Sequence, residues 1–130
     1  KLLDDDDPRV VGAACAALGK LGDADSTQTL MSHLDSDEPA IVAGAVEGLG
    51  HLGVREAVPR IIPLLESPDF DVRRAAIVAL GELGDQSATD ALEKLREAPW
   101  QGLAENPTEE QKQELQEAVD SALEALAQGS

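Results

Sequence analysis

Few side chains in this 130-residue chain are of types that do chemistry: Cys15, His33, His51, the run Asp4-Asp5-Asp6-Asp7, the pair Arg73-Arg74 and the lone Trp100. Each lacks the company its chemistry needs. One cysteine permits neither an intrachain disulfide nor a thiolate metal cluster. A nucleophilic Cys15 would need a basic neighbour to lower its pKa, and none stands close by in the sequence. A calcium loop of the EF-hand type needs alternate oxygen ligands, a central glycine and a distal glutamate. None of these follows the aspartate run, which reads as a solvated turn. Arg73-Arg74 is too small a basic patch to track phosphates, and pairing with Asp69, Asp71 or Asp85 is its expected use. The glycine-rich stretch Leu18-Gly19-Lys20-Leu21-Gly22 lacks the Gly-Lys-Ser/Thr of a phosphate-binding loop. No catalytic residue, metal site or cofactor is expected.

That same stretch instead reveals the organisation of the chain. It returns as Leu49-Gly50-His51-Leu52-Gly53 and as Leu80-Gly81-Glu82-Leu83-Gly84, at a spacing of 31 residues both times. A fixed period in this range marks stacked repeats. Full repeats fall at about 7–37, 38–68 and 69–99. Leu2-Leu3-Asp4-Asp5 aligns with His33-Leu34-Asp35-Ser36, so the chain reads as one repeat domain over 1–130, part of a longer solenoid.

Each repeat predicts two helices. The first opens at Asp7-Pro8, Glu38-Pro39 or Asp69-Phe70, where an acidic residue complements the helix dipole. Its apolar face repeats as Val10, Ile41 and Val72; Ala14, Ala45 and Ala76; Cys15, Val46 and Ile77; Leu18, Leu49 and Leu80. By this register Cys15 is a buried thiol, and Val11 and Val42, where the third repeat has Arg73, add to an apolar strip. The second glycine of each joint fits the left-handed position past a helix end. The first falls in the last turn, where glycine is unfavourable, so a backbone crossing the next helix is the expected reason. Second helices are expected at about 24–35, 55–66 and 86–97, with Pro63 kinking the middle one. His33 aligns with Leu64 and Leu95 and is expected to pack. His51 shares its variable slot with Lys20 and Glu82 and is expected to be exposed.

The period breaks after Ala98. Residues 99–107 read as a loop carrying Trp100. Thr108 and Gln111 then form a capping box for a last helix at about 109–127, an acidic C-terminal cap. The fold class expected is all-α: a solenoid of antiparallel helix pairs with about seven helices.

The pattern Pro39-x-Ile41-x-x-Gly44-Ala45-Val46-x-Gly48-Leu49-Gly50-x-Leu52-Gly53, followed by Ala57-Val58-Pro59-x-Ile61-Ile62-x-Leu64-Leu65, resembles the HEAT-like repeat of the phycobilisome-lyase-type short class. The third copy, Asp71-Val72-Arg73-Arg74-Ala75-Ala76 onward, matches it better still. The resemblance implies a HEAT-like solenoid. It also implies a range of activities: bilin lyase subunits, a di-iron hydroxylase, DNA-reading proteins and scaffolds. The hydroxylase holds iron with repeated His-Glu pairs. Here His33 precedes Leu34 and His51 precedes Leu52, so that activity is not expected.

Charge narrows the partners. With 26 acidic against 10 basic residues and a net charge of -16, nucleic acid and anionic membrane surfaces are excluded by repulsion. The excess fits a basic protein partner or life in high salt. No apolar run reaches the roughly 18 residues of a membrane span, no signal peptide is visible, and the chain is expected to be cytoplasmic. Its oligomeric state stays open. The function expected is a non-catalytic protein-interaction scaffold; the alternative that the resemblance implies is a bilin lyase or isomerase subunit acting on phycobiliproteins. Partner-binding candidates are Gln28, Ser32, Arg60, Pro63, Asp90 and Lys94 on the second helices, with Trp100 as an aromatic anchor or a cover for the gap before the cap.

Overall fold

The computed structural model describes residues 7–22 and 24–128. The Leu2-Leu3 alignment and Asp4, Asp5 and Asp6 lie outside them. The described residues form seven α-helices and no strand: α1 Pro8–Lys20, α2 Thr27–His33, α3 Pro39–Leu52, α4 Val58–Ile61, α5 Phe70–Leu83, α6 Thr89–Leu95 and α7 Glu109–Gln128. The first helices stack in series, α1 on α3, α3 on α5 and α5 on α7, and the second helices pack behind them. This is an all-α solenoid. Every second helix is entered through a 3-10 turn, at Ala24–Ser26, Arg55–Ala57 and Gln86–Ala88.

Local sequence sets the helix boundaries. The Asp7 carboxylate accepts from the Arg9 N–H at 3.0 Å, with Pro8 in the first turn. Asp69 does the same for Val72 at 3.0 Å. Glu38 makes no such side-chain bond; its own N–H donates to Ser36 Oγ at 3.1 Å. At α7 the reciprocal pair is complete: Gln111 N–H donates to Thr108 Oγ1, and Thr108 N–H to Gln111 Oε1, both at 3.0 Å. Gly53 and Gly84 end α3 and α5 at φ 75° and 66°, where a side chain would strain the backbone.

Second helices are less regular than the sequence suggests. α2 and α6 end at His33 and Leu95, short of the expected 35 and 97. In the middle repeat α4 stops at Ile61, and the chain continues as a 3-10 segment, Ile62–Glu66. Pro63 lacks the N–H that would continue the α-ladder, and the tighter helix accommodates it.

The recurring first glycine has a packing cause. A Cβ on Gly50 would lie 3.0 Å from the Ala79 Cβ, and one on Gly81 would lie 2.9 Å from the Ala122 Cα. A Cβ on Gly19 would run into the Gly48 backbone. Each joint is therefore where one first helix crosses the next at backbone distance. Ala45, Val46, Leu49, Ala76, Ile77 and Leu80 are wholly buried along this stack. Leu49→Ala should destabilise the chain by roughly 2–5 kcal/mol. A melting temperature unchanged from wild type would contradict this packing.

Candidate functional site

Apolar side chains on two consecutive second helices leave a groove between them. The 3-10 segment after α4 supplies Ile62, Pro63, Leu65 and Glu66; α6 and the residues flanking it supply Ser87, Asp90, Ala91, Lys94, Leu95 and Ala98; Gln101 lines it from the insertion. The groove encloses about 780 Å³. Its floor is aliphatic, and its rim carries two carboxylates, one ammonium and two neutral polar groups. Such a surface suits a peptide chain laid across it, with apolar side chains below and polar ones at the edges.

The structure brings together three of the residues chosen from sequence: Pro63, Asp90 and Lys94, all exposed. Gln28 and Ser32 are exposed on α2, outside this groove, and the Ser32 hydroxyl donates to the Thr29 carbonyl at 2.8 Å. Arg60 is engaged elsewhere. Its Nη2 lies 2.6 Å from the Asp35 carboxylate, joining α4 to the turn after α2. Trp100 is half-buried, with the Lys112 ammonium 5.5 Å from its ring centroid.

Arg73 departs from expectation. It does not pair with Asp69, Asp71 or Asp85. It is 1% exposed, and its guanidinium donates to three backbone carbonyls: Nε to Ser67 at 3.0 Å, and Nη1 to Pro99 at 2.8 Å and to Gln101 at 2.6 Å. Burial lowers its pKa from the ordinary arginine value, and the nearby Glu66 charge opposes that shift. The planar fork suits this task, since several donors reach divergent acceptors at once. Gly102 follows at φ 90°, and a Cβ there would lie 3.4 Å from Arg73 Nη2. Ala104 N–H donates to the Pro68 carbonyl at 2.9 Å. The insertion is thus pinned to the third repeat, and Gln101 is held where it lines the groove. Sequence reasoning missed this role. The available signal was that the repeat with arginine in place of valine is also the one followed by an insertion. Val11 and Val42, at the same register, are buried in the core.

The remaining chemical candidates are structural. Cys15 is fully buried, and burial raises its thiol pKa. His33 Nδ1 lies 2.8 Å from the Thr29 carbonyl, half-buried. His51 Nδ1 is 3.5 Å from Glu82 Oε2, on an exposed edge between α3 and α5. Among the described residues, no three His, Cys, Asp or Glu side chains converge to hold a metal. No helix among them is long and apolar enough to cross a membrane.

In a comparison with protein families, the family model for HEAT repeats matches residues 1–47 and 35–104. Comparison with curated proteins finds no match.

Proposed function

This chain belongs to the HEAT-repeat family, and on that premise we propose that it is a non-catalytic scaffold that binds its partner in the groove between the middle and third second helices. HEAT repeats generally mediate protein–protein interaction. The observation that carries the reading is the groove itself, an aliphatic floor bordered by Glu66, Asp90 and Lys94. Stacked repeats bind along such extended faces.

The net charge of -16 supports a basic partner segment. Coulomb attraction from a whole acidic surface steers a cationic chain toward it, while the groove's apolar floor supplies contact area. Affinity should fall steadily as salt is raised, because charges separated by more than about 8 Å are screened at physiological ionic strength. The test is affinity capture from the source organism with wild type, Ala91→Glu and Gln28→Ala in parallel. The specific partner should be retained by wild type and Gln28→Ala and lost by Ala91→Glu. A partner captured equally by all three, with no salt dependence, would sink the proposal.

The 31-residue period and the Leu-Gly-x-Leu-Gly joint support a finer placement in the phycobilisome-lyase-type short repeat class. A lyase role would need an aromatic or apolar cradle for a bilin. No aromatic side chain lines the groove to stack on a tetrapyrrole, and its charged rim favours a peptide instead. An unshifted bilin absorbance spectrum on mixing would agree with the scaffold.

A further inference from the structure

A second groove lies on the first-helix side of the molecule, between α5 and α7, away from the α6 side where the proposed peptide groove sits. At one point the two helices nearly touch, where Gly81 meets Ala122 at backbone distance. Beside that contact opens a trough of about 460 Å³. Val78, Ala118, Ala122 and Ala125 line it as an apolar strip. Val78 is 41% exposed, and it and Leu21 are the large hydrophobic side chains left exposed among the described residues. The same register position carries Ala16 and Glu47 in the earlier repeats, so the large apolar side chain is particular to this site.

Charge selects the occupant. Glu82, Glu114 and Glu117 border the trough against the single cation Arg74. From Glu114 to Ala125 the lining follows about 17 Å of α7 axis, three turns of helix. The small residues of the floor let another helix approach closely, as the first helices of this array already do with one another. We infer that this trough docks an amphipathic α-helix of a partner protein, one whose apolar stripe is flanked by lysine or arginine. The stripe covers Val78 and the alanines, and the flanking cations meet the three glutamates. A second copy of this chain is a poorer occupant, because its own surface is strongly acidic and like charges across an interface repel.

The inference does not depend on the peptide groove, and the test keeps the two apart. The probe is a designed helical peptide with a leucine–alanine stripe flanked by lysines, titrated against the whole chain at low ionic strength. Binding is read by peptide anisotropy and by backbone amide shifts. Shifts should concentrate on α5 and α7. Glu114→Lys with Glu117→Lys, and separately Val78→Glu, should weaken binding by about tenfold or more. Asp90→Ala, in the other groove, should leave it unchanged. All of these positions are exposed, and circular dichroism verifies that each variant keeps its helix content. Three results would overturn the inference: equal binding of a peptide with glutamates in place of lysines, loss of binding in Asp90→Ala but not in the glutamate variants, or self-association in sedimentation with no peptide binding.

Discussion

Gly44→Val should abolish the cooperative melt of this chain, with a loss of about 4 kcal/mol or more, the exceptional end of single substitutions. A Cβ on Gly44 would lie against the Gly12 carbonyl oxygen, 2.5 Å from the Gly12 carbonyl carbon and 2.6 Å from its Cα. The obstacle is backbone, so no rotamer change relieves it and α1 must move off α3. Gly48 sits in the same crossing, with its Cβ position 2.5 Å from the Cys15 carbonyl oxygen. Stability in a stacked array is a sum of nearest-neighbour interfaces, and so short an array has few to spare. Gly53→Ala is the matched comparison. Its φ of 75° strains a side chain, but nothing lies within 4 Å, so a loss of about 1 kcal/mol is expected there. Thermal denaturation followed at a helix wavelength measures both. Equal melting temperatures for the two variants would contradict the close crossing.

The second large effect belongs to Arg73→Ala. Truncation leaves a cavity and takes the arginine's hydrogen bonds from the carbonyls of Ser67, Pro99 and Gln101. The carbonyl of buried Pro99, left unsatisfied, and the void of the truncated side chain together should remove about 4 kcal/mol. The loss should fall first on the insertion. α7 itself would stay packed on the third repeat through its buried Leu115, Val119 and Leu126, with Gly81 against Ala122 and the Gln86 amide on the Leu126 carbonyl at 2.6 Å, so the insertion is the part released. Trp100 is the single tryptophan and lies inside the released segment. Its emission should therefore shift to the red at lower urea than the loss of helix signal, splitting a transition that coincides in wild type. Arg73→Lys should recover only part of the stability, since an ammonium cannot span the three acceptors as the guanidinium fork does. Coincident transitions at the wild-type midpoint for Arg73→Ala would show that the anchor carries no such load. The same variant should weaken binding of any ligand in the second-helix groove, because Gln101 lines it.

The solenoid was legible in the sequence for a physical reason. Every repeat solves the same packing problem, so the solution is written more than once: alanine where helices must approach, leucine where they must fill space, glycine where one backbone crosses another. Thr108 and Gln111 were legible because a capping box is a local arrangement, complete within four consecutive residues. Pro63 announced a distortion but not its form, since whether a helix kinks or tightens into 3-10 depends on what packs around it.

The proposed binding surface was legible only in part. Pro63, Asp90 and Lys94 meet in one groove, whereas Arg60 turns to Asp35, and Gln28 and Ser32 stand apart on α2. Periodicity tells which face of a helix is free, but not which free faces of neighbouring helices leave space between them.

By itself the sequence determined the fold class, the joints between helices and the excess of acidic residues, because each follows from local pattern or composition. Only the tertiary structure decided what Arg73 binds, how the Trp100 insertion is held and where grooves open on the two sides of the stack. Those features join residues from different repeats. Arg73 reaches carbonyls 26 and 28 residues away, and nothing in the 31-residue period specifies such a contact.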